Sequence, residues 1–245
     1  MKHLKTIMGA LAVLVAVSCA KTPTAGSGQV IFDVSSNQQI ADMTKSNVSD
    51  YTSTLPSKND FTITITGVTV DYSWTGKISE WDSSTQLYAG DYKVVATYGS
   101  LEEEGFDKPY FYGEKSFSVT GGQPVTVSIK VTLGNTVVKL NFSENFKKYY
   151  SDYSFTLSRD GKEIVKFLKN ENKAAFVDGY KFTLSGTLTA ETKTYTFEKE
   201  YTSLNERTAY AINFDLSNVG GTSITISIKE GFADTVDLKD IELND

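Results

Sequence analysis

Val125-Thr126-Val127-Ser128-Ile129-Lys130-Val131-Thr132-Leu133 alternates apolar residues with polar ones along its whole length. Successive side chains of a β-strand point to opposite faces, so the run reads as a half-buried strand with Val125, Val127, Ile129 and Val131 turned inward. The same period of two runs through Phe61, Ile63 and Ile65 against Thr62, Thr64 and Thr66, and through Tyr210, Ile212, Phe214 and Leu216. Short strands of this kind, separated by Gly, Asn, Asp and Ser turns such as Gly121-Gly122 and Gly220-Gly221, specify an all-β chain. Its antiparallel sheets would pack face to face, as in immunoglobulin-like sandwiches. One helix of one or two turns is expected between Ser143 and Tyr150, where Phe146, Tyr149 and Tyr150 fall three and four apart.

The strands repeat. Asp60-Phe-Thr-Ile-Thr-Ile65 is echoed by Asp152-Tyr-Ser-Phe-Thr-Leu157, and Leu87-Tyr-Ala-Gly-Asp-Tyr-Lys-Val-Val-Ala-Thr-Tyr-Gly99 by Ala175-Phe-Val-Asp-Gly-Tyr-Lys-Phe-Thr-Leu-Ser-Gly186. A third echo joins Val125–Leu133 to Thr208–Leu216, each followed by a turn and another strand, Val137 to Phe142 and Ser223 to Ile228. An offset of about 90 residues is a domain length, not a solenoid repeat. The expectation is two tandem antiparallel β-sandwich domains, 28–133 and 134–245, with the boundary near Gly134.

The N-terminus carries a different signal. Lys2 and Lys5 precede an apolar run from Ile7 to Val17, and small Ser18 precedes Cys19, the only cysteine. A spanning helix needs about 20 apolar residues and an export signal about 7 to 15, so residues 1–18 read as a signal peptide that is removed. Val15-Ala16-Val17-Ser18-Cys19 resembles a lipobox, with Ala16 where Leu is usual, which makes Cys19 the expected lipidation site and the anchor to a membrane. Ala20-Lys-Thr-Pro-Thr-Ala-Gly-Ser27 has the composition of a flexible leash, so 19–27 is read as a lipidated tether. Without Lys2 and Lys5 the 24 basic residues fall to 22 against 30 acidic ones, a formal charge of −8. Nucleic acid and anionic headgroups reward clustered Lys and Arg, so neither is expected as an electrostatic partner. With no second thiol there is no disulfide, and packed cores must supply the stability.

The same inventory restricts chemistry. His3, the one histidine, leaves with the signal peptide, and an acylated Cys19 is no nucleophile. Ser-His-Asp and Cys-His catalysis and the His- or Cys-based zinc sites all need those groups, so no catalytic residue, metal or cofactor is assigned. No Gly-rich phosphate loop follows a strand and opens a helix, and no Asp-x-Asp-x-Asp-Gly calcium loop occurs. Glu102, Glu103 and Glu104 are the obvious acidic cluster, and three consecutive loop charges read as a solvated face. The aromatic patch Phe106, Pro109, Tyr110, Phe111 and Tyr112 is open to two readings. Its rings plug the end of a sandwich core, or, with Trp74 and Trp81 as a platform beside them, they stack on the apolar faces of a glycan.

Gly90-Asp91-Tyr92-Lys93-Val94, followed by Asp107-Lys-Pro-Tyr-Phe-Tyr-Gly113, Phe117-Ser-Val119 and Val137-Val-Lys-Leu-Asn-Phe142, resembles a family of uncharacterised Bacteroidetes lipoproteins, a domain of unknown function. The likeness runs from about Val30 to Ile228. Members of that family look like relatives of fimbrillin-type lipoproteins, which are built from two transthyretin-like sandwiches. The resemblance implies a non-enzymatic, outer-membrane lipoprotein facing the periplasm or the cell surface, with a structural, adhesive or fimbria-like assembly role. Other envelope proteins or glycans are the partners it implies. Fimbrial shaft subunits of that kind mature by cleavage after an Arg near the mature N-terminus, whereas the first arginine here is Arg159.

Overall fold

The computed structural model describes residues 24–36, 48–205, 207–216, 223–230, 234–237 and 241–242. Residues 1–18, read as a signal peptide, and Cys19 lie outside the described residues. The chain is mostly β, with strands β1 Thr24–Ser36, β2 Thr62–Gly67, β3 Ser73–Lys77, β4 Gln86–Tyr98, β5 Gly105–Phe106, β6 Phe111–Val119, β7 Val125–Leu133 and β8 Thr136–Phe142. After helix α1, Glu144–Tyr149, follow β9 Asp152–Arg159, β10 Lys162–Leu168, β11 Ala175–Val177, β12 Phe182–Ala190 and β13 Lys193–Tyr201. The last strands are β14 Ala209–Leu216, β15 Ser223–Glu230, β16 Asp234–Asp237 and β17 Ile241–Glu242. Because β1 begins at Thr24, the last four residues read as tether are strand.

A six-stranded sheet runs in the order β1-β7-β6-β4-β2-β3, and a further pairing of β1 with β4 closes four of its strands into a small barrel. A four-stranded sheet runs β10-β9-β12-β13, and a third runs β16-β15-β14-β8-β11-β5. The order β3-β2-β4-β6 in the first half is matched by β10-β9-β12-β13 in the second, which places the sequence echoes in equivalent strands. One echo resolves differently. The long strand β4 pairs with β1 through Gln86–Ala89 and with β2 through Tyr92–Thr97, and in the second half that work is divided between β11, which pairs with β8, and β12, which pairs with β9.

The antiparallel expectation fails at two places, and both are informative. β1 lies parallel to β7, Val30–Ser36 in register with Val125–Val131, and β8 lies parallel to β14, Val137–Phe142 in register with Ala209–Phe214. In each half the first strand pairs with the last of the echoed strands. A parallel pair needs a long crossover between its members, and here the intervening strands provide it. β8 is therefore the counterpart of β1, and its counterpart is not β15, the strand that follows β14 as a hairpin partner.

Burial follows the alternation. Val127, Ile129, Val131 and Leu133 on β7, and Phe61, Ile63 and Ile65 at β2, are at most 2 % exposed. They belong to one cluster of buried side chains, with Val30, Phe32 and Val34 of β1. A second cluster gathers Val138, Leu140, Phe155, Leu157, Phe182, Leu184, Ile212 and Phe214. Fully burying one such side chain contributes about 1.5–3 kcal/mol, which lets a chain without disulfides hold together. The helix forms where the spacing of its aromatics predicts it. The Ser143 hydroxyl accepts from the Phe146 N–H at 3.2 Å, and Phe146 inserts between Phe142 and Tyr150, 5.3 and 4.8 Å away between ring centres. So short a helix is unstable alone, and this packing holds it.

Candidate functional site

The two halves meet along the segment from Leu101 to Tyr112, which also carries the aromatic patch and the acidic run. Its course is fixed at both ends. At one end Phe106 and Gly105 of β5 pair antiparallel with Ala175 and Phe176 of β11, so a loop of the first half adds an edge strand to a sheet of the second. Phe106 lies edge-on to Phe167 at 5.1 Å. At the other end Phe111 opens β6 and is fully buried against Phe61 and Tyr98. Between them the Tyr110 N–H donates to Asn135 Oδ1, and the Tyr110 carbonyl accepts from the Gly134 N–H at 2.7 Å.

The alternation of β6 then separates residues that are neighbours in sequence. Phe111 faces the core, Tyr112 faces outward, and Gly113 faces in again. A Cβ on Gly113 would lie 2.4 Å from the Lys130 carbonyl oxygen, so the close approach of β6 to β7 requires glycine at this position. The Tyr112 hydroxyl donates to Glu114, which also pairs with Lys93 at 2.8 Å. The shared hydrogen bonds hold the Glu114 carboxyl below its ordinary pKa and push the Tyr112 phenol and the Lys93 ammonium up.

Trp74 and Trp81 stand elsewhere. Trp74 is in register with Ile65, a core residue, and is therefore on the inner side of the sheet that has Tyr112 on its outer side. The two indoles meet edge to face at 5.1 Å and pack half-buried against the first cluster. Trp81 also touches Phe32 at 5.2 Å, and its Nε1 donates to the Val30 carbonyl at 2.9 Å. The polar edge of Trp81 is thus spent on holding β1. The five candidate aromatics do not form one platform: Phe111 is core, Trp81 holds the first strand with Trp74 packed against it, Tyr112 belongs to a surface ion pair, and Tyr110 sits at the junction of the halves.

The acidic run departs from the solvated face expected of it. Glu103 conforms, exposed and paired with Lys108. Glu104 does not. Its side chain is 9 % exposed, with Arg159 Nη2 at 3.0 Å and the Asp178 N–H donating to Oε1 at 2.8 Å, while Arg159 Nη1 lies 3.4 Å from Asp178. Glu104 adjoins β5, so the pairing of that strand carries it against the second half. Nearby Asp107 accepts from Lys173 at 2.8 Å and from the Thr52 hydroxyl at 2.9 Å. The Lys173 hydrogen bond holds the Asp107 carboxyl below its ordinary pKa. Its contribution to stability is present above the carboxylate pKa of the unfolded chain and is lost as pH falls through the lowered value.

These contacts make a testable seam. Glu104→Ala leaves a partly buried guanidinium with only its weaker partner and an Asp178 N–H without its acceptor, and is expected to lower stability by about 1–3 kcal/mol. Thermal unfolding of Glu104→Ala beside Glu103→Ala checks this: only the first should lower the melting temperature, and equal shifts would return Glu104 to the solvated face.

A cleft of about 250 Å³ lies beside this segment, between Tyr98, Ser100, Asp107 and Pro109, and a shallow depression of about 390 Å³ lies over Thr156, Ser185 and Thr196 on the four-stranded sheet. Among the described residues no three His, Cys, Asp or Glu side chains are grouped as metal ligands.

The family described as Domain of unknown function (DUF4493) matches residues 26–244. No curated protein matches in sequence. Among solved structures the chain is similar to a candidate cell adhesion protein from Bacteroides eggerthii, at 10 % identity and TM-score 0.47 over 84 % of this chain and 96 % of that one. It is also similar to a fimbrial assembly protein from Parabacteroides distasonis, at 7 % identity and TM-score 0.47 over 74 % and 91 %. A third is the fimbrial anchor protein Mfa2 from Porphyromonas gingivalis, at 9 % identity and TM-score 0.38 over 86 % and 99 %.

Proposed function

The chain belongs to the DUF4493 family, and from that premise we propose that it is a non-enzymatic, lipid-anchored protein of the cell envelope. It consists of two tandem sandwich modules and serves as an adhesive or structural component, held to the outer membrane through Cys19 and facing the periplasm or the cell surface. The observation that carries this reading is the placement of β1. It begins at Thr24, five positions after the cysteine, and is paired on both sides, with β4 through Thr24–Gln29 and with β7 through Val30–Ser36. An anchor at Cys19 would thus hold the protein by a strand built into its barrel. The absence of histidine and of a second thiol from the mature sequence supports a role without nucleophilic catalysis.

The same placement favours an anchored monomer or a terminal component over a polymerising shaft subunit. From Val30 to Lys58 the chain has no Arg, only Lys45 and Lys58, so an Arg-specific protease finds no site at which to remove β1. A glycan-binding platform built on Trp74, Trp81, Tyr110 and Tyr112 gains no support from residues dispersed over two faces of a sheet. Protease shaving of intact cells, with mass spectrometry of the released peptides, and size in mild detergent test the proposal. We expect a protein of monomer size in the envelope fraction, and shaved peptides if it faces outward. A protein found in the cytosol would contradict it, as would ladders that survive detergent, collapse on boiling and consist of chains beginning after Lys45 or Lys58.

A further inference from the structure

We infer that β1 and β7 form a shear clamp, a pair of parallel strands that bears mechanical load applied to the N-terminal end of the chain. Seven consecutive residues of β1 register with seven of β7. Their parallel course puts the N-terminal end of β1 and the C-terminal end of β7 at opposite ends of the pair. The chain enters the fold by the first of these ends and leaves for the second half by the other, since β7 continues through Gly134 and Asn135 into β8. Tension between the N-terminus and the second half therefore acts along the strand axes. Strands pulled along their axes must break their ladder of hydrogen bonds together, whereas strands pulled from one end release it bond by bond.

Side chains resist the same slip. Val30, Phe32 and Val34 are buried, and sliding β1 by one residue would turn all three to solvent. Phe32 is wedged between Trp81 and Phe117, at 5.2 and 5.8 Å. The Trp81 indole bonds the Val30 carbonyl where β1 leaves β4 for β7. The β5–β11 pair and the Glu104–Arg159 contact lie beside the Gly134 link, and once they part the whole load passes through that link.

The second half offers a contrast within one molecule. β8 and β14 are also parallel, but β15 doubles back along β14 with Tyr210 facing Glu230, while Ala209 faces Val137. The chain thus leaves β15 at the end where it entered β8; β16 and β17 then turn it back along β15 through only four and two paired residues, and once these short pairings part, a pull on the C-terminal side peels this sheet. The clamp's use in the cell rests on the anchored reading above. The clamp itself does not, and its test on purified protein is independent of where the protein resides.

The test is single-molecule pulling of the chain from residue 19 onward, carrying Cys19→Ala, with handles at its two ends. Two unfolding events are expected, the stronger at roughly twice the force of the weaker or more, because forced unfolding follows the barrier to unfolding. Asp33→Cys with Ser128→Cys, two exposed positions in register across the clamp, identifies the stronger event. When oxidised, the stapled protein should lose that event and the length of chain between the staple points, and a reductant should restore both. Moving the second handle to Gln123→Cys, in the turn before β7, pulls both strands from the same end and should lower the force of the first half by a similar factor. Two events of equal force, a strong event that persists in the stapled protein, or an unchanged force with the handle at position 123 would each overturn the clamp.

Discussion

Replacing the thiol at Cys19→Ala is expected to move the protein from the membrane pellet to the soluble fraction while leaving its circular dichroism unchanged. Each buried methylene of an attached acyl chain contributes about 0.8 kcal/mol, and stable anchoring needs more than one chain, so loss of the attachment atom removes the whole of it. Among the described residues no helix is long and apolar enough to cross a membrane. The fold should not register the change, because β1 begins beyond the altered position and owes its place to β4, β7 and Trp81. A Cys19→Ala protein that pelleted with membranes after a high-salt wash would refute the lipobox reading. One that lost its β-structure would show that the N-terminal segment does more than tether.

A pair of adjacent substitutions should differ most sharply in stability. Phe111→Ala empties a fully buried position against Phe61 and Tyr98 and is expected to cost about 3–5 kcal/mol, a large part of the stability of an ordinary domain. Tyr112→Ala removes an outward ring and one hydrogen bond to Glu114, leaving the Lys93–Glu114 pair in place, and should leave the unfolding midpoint almost unchanged. Chemical denaturation of the two variants measures both effects. Comparable losses would mean that the outer face of β6 is covered, and would reopen Tyr112 as part of a binding surface.

Much of the fold was legible because the period of two reports which face is buried, and burial is what alternation encodes. The strands at Phe61–Ile65, Val125–Leu133 and Tyr210–Leu216 and the short helix capped by Ser143 all formed where the pattern put them. Strand direction was not legible. Alternation along Val30–Val34 is the same whether its neighbour runs parallel or antiparallel, so the pairing of β1 with β7 and of β8 with β14 had no local signal. The sequence echoes did hold that information in a weak form. Their order matches strand order in two sheets, yet the strand after each third echo goes to a different place, which only the partners of β8 and β15 reveal.

The candidate aromatics show the same limit. Composition singled out Trp74, Trp81, Tyr110, Phe111 and Tyr112, but whether rings share a surface depends on sheet register. In β6 one residue of offset sends Phe111 inward and Tyr112 outward. Glu104 was missed for a related reason. Within Glu102-Glu103-Glu104 nothing distinguishes the third carboxylate, and its partner Arg159 lies 55 positions away on β9. The available signal was Gly105-Phe106, an apolar step directly after the charges, which marks the point where the loop becomes a strand against β11.

The most direct measurement is the mass of the N-terminal peptide of the protein taken from its native membranes. The anchored account predicts a peptide that begins at Cys19 and carries the added mass of lipid on that residue, with Thr24 to Ser36 still attached to the remainder of the chain. A peptide that retains residues 1–18, begins with an unmodified Cys19, or starts beyond Lys45 would contradict it.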